Sequence, residues 1–173
     1  AMNGFPGILP DGSLVQEQSV DQWAATLQTV VDAIAHQAGG SLTADALAQL
    51  SPDQITLWAY VILRDELCDG GFIQLIHNGY GPFFFLNPFA KAMRLWGLKD
   101  FSKLLYRARE LYELHAEALT QPCTDEEFMA LYEQFPEFDD LDDAFMEREE
   151  EFTNGVAHYL DEHLTDFIDI THD

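Results

Sequence analysis

Between positions 58 and 81 the chain reads WAYVILRDELCDGGFIQLIHNGYG, and its two adjacent glycines constrain the fold more than any other feature. Before them, Ile55, Trp58, Ala59, Ile62 and Leu63 recur at three- and four-residue intervals, the spacing of one helical stripe. Ser51-Pro52-Asp53-Gln54 provides the start, with a capping serine, proline at the first helical position and a glutamine able to close a capping box. Gly70-Gly71 stops this helix, because a chain leaving a helix turns through a left-handed residue that only glycine adopts without strain. Phe72, Leu75 and Ile76 then resume an apolar stripe, and Asn78-Gly79 stops it again. Two buried helices meeting at a double-glycine corner predict an all-α core. Gln74 lies inside the second stripe and Asn78 at its end. Buried amides need partners, so both are expected to tie the corner to a neighbouring loop.

The remaining patterns are helical too. Residues 1–18, with Gly4, Pro6, Gly7, Pro10 and Gly12, suit a loose arm, and 19–173 reads as a single all-α domain of about seven or eight helices. Ser19, with Gln22 in the box position, caps a helix to about Ala38 whose stripe is Val20, Trp23, Leu27, Val30, Val31 and Ile34. A short helix is expected over 43–50, and an irregular or one-turn connector over 80–86, where Pro82 precedes three phenylalanines. Asn87-Pro88 is expected to open the next helix, and Asp100 to cap a long one with Phe101, Leu104, Leu105, Ala108, Leu111 and His115 or Ala118 inward. Thr124-Asp125-Glu126-Glu127 is a capping box for a helix ended by Pro136. A long acidic helix over 139–162, kinked at Asn154-Gly155, and an extended tail over 165–173 complete the reading.

The run Asp69-Gly70-Gly71-Phe72-Ile73-Gln74, followed by Asn78-Gly79-Tyr80-Gly81, resembles the N-G-G-F-x-Q … N-x-x-G signature of a bacterial domain formerly of unknown function. That domain is shared by the DNA-mimic protein family (the DMP type). Asp69 stands where asparagine is common in the pattern. The similarity runs from about Asp53 to Tyr112, with Gly70, Gly71, Phe72, Gln74, Asn78 and Gly81 as its structural motif, and the acidic helices of 124–163 lie largely outside it. The resemblance implies an all-α protein that binds a helix-turn-helix transcriptional regulator and releases it from its operator. It also implies a homodimer.

Charge leads in the same direction. The 173 residues carry 31 acidic and 8 basic side chains, net −23, while 47% hydrophobic content rules out a purely disordered acidic chain. From Glu110 onward there are 21 acids and a single base, Arg148. Such a field repels nucleic acid and anionic membranes and favours a basic partner. Residues 139–151 hold eight acids and one base. At a rise of about 1.5 Å per residue this is one net charge per roughly 3 Å of helix axis, against one per about 1.7 Å in duplex DNA. Asp139, Asp140, Asp142, Asp143, Glu147, Glu149, Glu150 and Glu151 are therefore the expected partner-binding residues, with Glu126, Glu127, Glu133 and Glu137 as a second line. Arginines and lysines suited to phosphates also pair with carboxylates. Lys91, Arg94, Lys99, Lys103, Arg107 and Arg109 are expected to pair internally with the acidic C-terminal half.

No pattern for catalysis or metal binding stands up to its spacing. Cys68 and Cys123 are too far apart in sequence for a C-x-x-C site. Asp140, Asp142 and Glu151 match positions of a calcium loop, but Ala144 and Phe145 occupy the places of a ligand and of the obligatory glycine. Glu-x-x-His steps, a G-x-S-x-G elbow and a phosphate loop are all missing. No enzyme, cofactor or metal is expected. The N-terminus has neither a basic region nor a sustained apolar run, and no stretch reaches membrane-spanning length, so the expected location is cytoplasmic. The reading that results is an acidic DNA mimic competing with DNA for a basic DNA-binding protein, a transcriptional regulator or nucleoid protein. An immunity or antitoxin protein neutralising a cationic nuclease is the alternative. A third reading is a small-molecule or metal-dependent catalyst at the Gly70-Gly71 corner with Gln74, His77 and Asn78.

Overall fold

Gln54 donates its backbone N–H to Ser51 Oγ at 3.2 Å, and Ser51 donates its own to Gln54 Oε1 at 2.9 Å, so the capping box read from the sequence is made. It opens α3 (Pro52–His77) in a computed structural model that describes residues 20–39 and 44–167. The described residues form nine helices and no strand, an all-α fold. The others are α1 (Val20–Gln37), α2 (Ala44–Ala48), α4 (Gly81–Phe85), α5 (Phe89–Leu95), α6 (Lys99–Leu119), α7 (Asp125–Gln134), α8 (Glu137–Glu162) and α9 (Leu164–Phe167). The expected arm, the Ser19 cap and the chain beyond Phe167 lie outside the described residues, as do the side chains of Val20, Gln22 and Trp23. Among the described residues no helix is long and apolar enough to cross a membrane.

The helices divide into two compact units, one of residues up to Val61 and from Glu150, the other Ile62–Glu149. In the first unit Leu27, Val30, Val31 and Ile34 of α1 are buried as their spacing predicts. Leu57 through Val61 are buried in succession, so this part of α3 is enclosed all round rather than along one stripe. Gln54 Nε2 reaches the Phe167 carbonyl at 2.9 Å, and the buried Tyr60 and Thr153 hydroxyls share a 2.8 Å hydrogen bond. α8 stays helical through Asn154-Gly155, and residues 165–167 are helical within α9 rather than extended.

The second unit is organised by the double-glycine corner. Gly70 remains helical, and the break falls at Gly71, whose φ of 76° and ψ of −169° belong to a region essentially closed to other residues. A break leaves the backbone groups on either side without helical partners. Tyr132 of α7 donates its hydroxyl to the Gly70 carbonyl at 2.7 Å, and Asp142 of α8 accepts the Phe72 N–H at 2.9 Å. Asp142 thus acts as the N-cap of the second half of α3, where the helix dipole favours a negative charge. Gln74 and Asn78 bond to carboxylates rather than to a loop backbone. Gln74 Nε2 donates to Glu66 at 2.8 Å and to Asp69 at 2.9 Å, and Asn78 Nδ2 donates to Glu66 at 3.0 Å. A straight helix would separate Glu66 from Asn78 by about 18 Å along its axis, so the bend at Gly71 is what brings them together.

Past the corner, α4 is the one-turn connector expected over 80–86, with Phe84 and Phe85 buried. A Cβ on Gly81 would overlap the Tyr112 ring, and Tyr112 stacks on Phe85 at 5.0 Å. Two caps differ from expectation. The Asn87 side chain donates to the Phe83 carbonyl at 3.0 Å, closing the end of α4 instead of opening α5. Asp100 falls in the first turn of α6, whose N-cap is Leu98, and its carboxylate pairs with Arg148 at 2.9 Å. Along α6, Phe101, Leu104, Leu105 and Ala108 are buried and Leu111 and His115 half-buried, whereas Ala118 is exposed.

Gly71→Ala is expected to lower unfolding stability by roughly 2–5 kcal/mol, from backbone strain and a displaced charged hydrogen bond, because its Cβ would overlap the Asp142 carboxylate. Gly70→Ala meets only the Gln74 side chain and should lose less than half as much. Urea unfolding of both variants is the check, and equal losses would show that the corner does not depend on the Gly71 conformation.

Candidate functional site

The acidic surface is set by how α7 and α8 begin. Thr124 and Glu127 form the capping box of α7, with Glu127 N–H to Thr124 Oγ1 at 3.2 Å and Thr124 N–H to Glu127 Oε1 at 3.1 Å. These bonds hold the Glu127 carboxyl below its usual pKa. Leu131 is buried and Phe128, Tyr132 and Phe135 half-buried, which turns Glu126 and Glu133 to the exposed opposite side. Pro136 separates the helices, and Glu137 starts α8. The Glu137 carboxyl is held low first by its own backbone N–H and then by His115, whose Nε2 lies 3.0 Å away.

Within α8 the eight acids nominated from 139 to 151 separate by face. At about 100° per residue, Phe138, Leu141 and Phe145 point inward and are fully or nearly fully buried. Asp139, Asp140, Asp143 and Glu147 fall on the other side and are exposed. Glu150 and Glu151 are exposed as well, in the part of α8 that belongs to the other unit. Asp142 and Glu149 face inward. Glu149 is 8% exposed and ion-paired with Arg64, and Asp142 is the cap of Phe72. Two of the eight acids expected on α8 for partner binding are thus engaged in packing, because they share the i, i+4, i+7, i+11 stripe of Phe138 and Phe145.

The exposed acids are not neutralised from within. Among the described residues, none of Glu126, Glu133, Asp139, Asp140, Asp143 and Glu147 forms an ion pair. Among the described residues, the internal pairing expected of the bases in 91–109 is made by one of them. Lys91, Arg94, Lys99, Lys103, Arg107 and Arg109 are all exposed, and only Arg109 pairs, with Glu113 one turn along α6 at 3.1 Å. The catalytic alternative at the corner finds its groups occupied: His77 Nδ1 bonds the Leu119 carbonyl at 2.9 Å, and Gln74 and Asn78 are held by Glu66. Among the described residues, no three His, Cys, Asp or Glu side chains are grouped to hold a metal.

A cleft of about 460 Å³ lies at the corner, lined chiefly by Asp69, Gly70, Phe128, Met129, Tyr132 and Asp142. Burial pushes the Asp142 carboxyl up to about 6, against the lowering effect of the Phe72 N–H, and Asp139 and Asp143 add to the rise. A raised carboxyl favours folding when protonated, so its contribution is fully present below its ordinary value of 3.8 and lost as pH rises through about 6. Asp142→Asn keeps an oxygen for Phe72 and removes that loss. Its melting temperature should match the parent near pH 4 and exceed it increasingly toward pH 7.5, read by thermal unfolding across that range; a pH-independent offset would refute the burial account.

Comparison with known proteins agrees with this architecture. The family model for DMP19-like proteins matches residues 48–163, which takes in α7 and α8 as well as the double-glycine corner. A DNA mimic protein, DMP19 of Neisseria meningitidis serogroup B, is 35% identical over 164 residues, covering 94% of this chain and 95% of that protein. By that coverage and identity, the chain belongs to the DMP19-like protein family.

Proposed function

We propose that this chain is a DNA mimic: it presents the acidic face of α7 and α8 to the DNA-binding surface of a basic protein and competes with DNA for it. The observation carrying this reading is the row Asp139, Asp140, Asp143 and Glu147, exposed and without ion pairs among the described residues. Their steps along the helix axis are about 1.5, 4.5 and 6 Å, averaging about 4 Å, comparable with the axial spacing of about 3.4 Å for phosphates along one DNA strand. A helix anchored through Phe138, Leu141 and Phe145 holds them without the ordering cost a flexible acidic tail would incur. The relative named a DNA mimic supports the same role. The partner class we favour is a helix-turn-helix transcriptional regulator, released from its operator on binding. Association of two copies would lengthen the acidic surface.

Affinity capture from the source cell's lysate at about 50 mM salt, followed by mobility-shift competition with the captured protein's DNA site, tests this. The captured protein should leave DNA as this chain is added, and its affinity for the chain should fall about tenfold or more between roughly 50 and 200 mM salt. Reversal of all four row residues to lysine should abolish the competition while helicity is retained. Competition that survives the reversal would place the interface elsewhere, and capture of a cationic nuclease would favour the immunity reading instead.

A further inference from the structure

Beyond the exposed row, the cleft at the Gly70-Gly71 corner has a shape and chemistry of its own. Resting on the DNA-mimic reading, we infer that this cleft is a socket for one arginine side chain of the basic partner. Its volume of about 460 Å³ lies within the range of roughly 300–1,000 Å³ typical of ligand pockets. Asp69 is exposed at one side, and Asp142 presents Oδ2, which has no hydrogen-bond donor among the described residues, since Phe72 takes Oδ1. No basic residue lines the cleft. Anionic ligands are therefore repelled and a cation is drawn in.

The apolar part of the lining selects which cation. Phe128 and Tyr132 lie edge to face, centroids 5.6 Å apart, and Met129 is 63% exposed at the rim. A guanidinium stacks on aromatic faces and bonds a carboxylate through two parallel N–H groups, whereas an ammonium is a compact, strongly hydrated charge. Gly70 and Gly71 line the cleft with backbone, beside the Gln74 and Asp142 side chains that occupy the space a Cβ would take. Along α7, Met129 stands between Glu126 and Glu133 at three- and four-residue spacing, so a guest side chain entering past Met129 passes exposed acids. Asp142 is faced by Asp139 and Asp143 from its own helix, Asp69 from α3 and Tyr132 from α7. A guanidinium beside Asp142 stabilises its ionised form, so occupancy should strengthen as pH rises from 5 to 7.

The probes are Nα-acetyl-arginine methylamide, its lysine counterpart and the uncharged citrulline isostere, titrated into the full chain and followed by amide NMR. The arginine probe should shift Gly70, Gly71, Phe72 and Tyr132 saturably, bind about tenfold more tightly than the other two, and weaken at pH 5. Asp142→Asn should remove the shifts; Asp69→Asn, which leaves the Phe72 cap intact, should weaken them and lower affinity for the captured basic partner about tenfold. Equal response to arginine and citrulline, no response at these amides, or partner affinity unchanged in both variants would overturn the inference. The four-lysine variant of the α8 row separates the two readings. It should keep the arginine-probe shifts while losing competition with DNA, and competition that persists there removes the α8 row as the mimic interface without touching the probe result.

Discussion

One broken helical turn governs the second unit. At Gly71 the backbone leaves the helical region, and the break frees the Gly70 carbonyl and the Phe72 N–H. Each is taken by a side chain more than sixty residues away, the Tyr132 hydroxyl and the Asp142 carboxylate. Unsatisfied buried backbone groups cost about 1–3 kcal/mol each, so α7 and α8 are fixed to the corner by a requirement, not merely by apolar contact. Glycine is needed twice over at 71, for its backbone angles and because Asp142 occupies the space of a Cβ. That single contact also sets the rotation of α8. With Asp142 turned to Phe72, the 100° step of the helix leaves Asp139, Asp140, Asp143 and Glu147 facing water.

Crowding like charges along one helix works against the helix itself. α8 offsets this with Phe138, Leu141 and Phe145 on its inner side, all buried, and with Phe101 packed at 5.9 Å from Phe145. Its two inward acids are handled differently. Glu149 is ion-paired with Arg64, whereas burial pushes the Asp142 carboxyl up to about 6. The outer row faces high-dielectric solvent, where repulsion between neighbours is weak and screened.

Much of this was legible in the residues. The capping boxes at Ser51 and Thr124, the double-glycine corner, the one-turn α4 and the inner stripe of α6 all follow from local rules. Asn87 and Asp100 sit where a cap belongs by local pattern, yet Asn87 is claimed by the preceding turn of α4 and Asp100 by the distant Arg148. Asp142 and Glu149 stand out by charge density, although the spacing Phe138, Asp142, Phe145, Glu149, Phe152 places them on the inner stripe. Periodicity applied to the acids, and not only to the apolar residues, would have separated packing carboxylates from exposed ones. The pairing of Tyr132 with Gly70 had no sequence signal, since it depends on where two distant helices meet.

The unpaired cations explain why the acids can remain exposed. Lys91, Arg94, Lys99, Lys103 and Arg107 lie in the same unit as the acidic row yet form no ion pair among the described residues. Surface pairs contribute only about 0–1 kcal/mol each, so keeping the two signs apart forfeits little stability. Their separation has a larger effect at a distance. A row of carboxylates neutralised by nearby lysines would have no field to steer a basic partner, whereas an unneutralised one raises the encounter rate and discriminates against anionic surfaces. On the proposed reading, the broken turn at Gly71 and the isolation of the bases serve one end: the first fixes where the charges stand, and the second leaves them uncancelled.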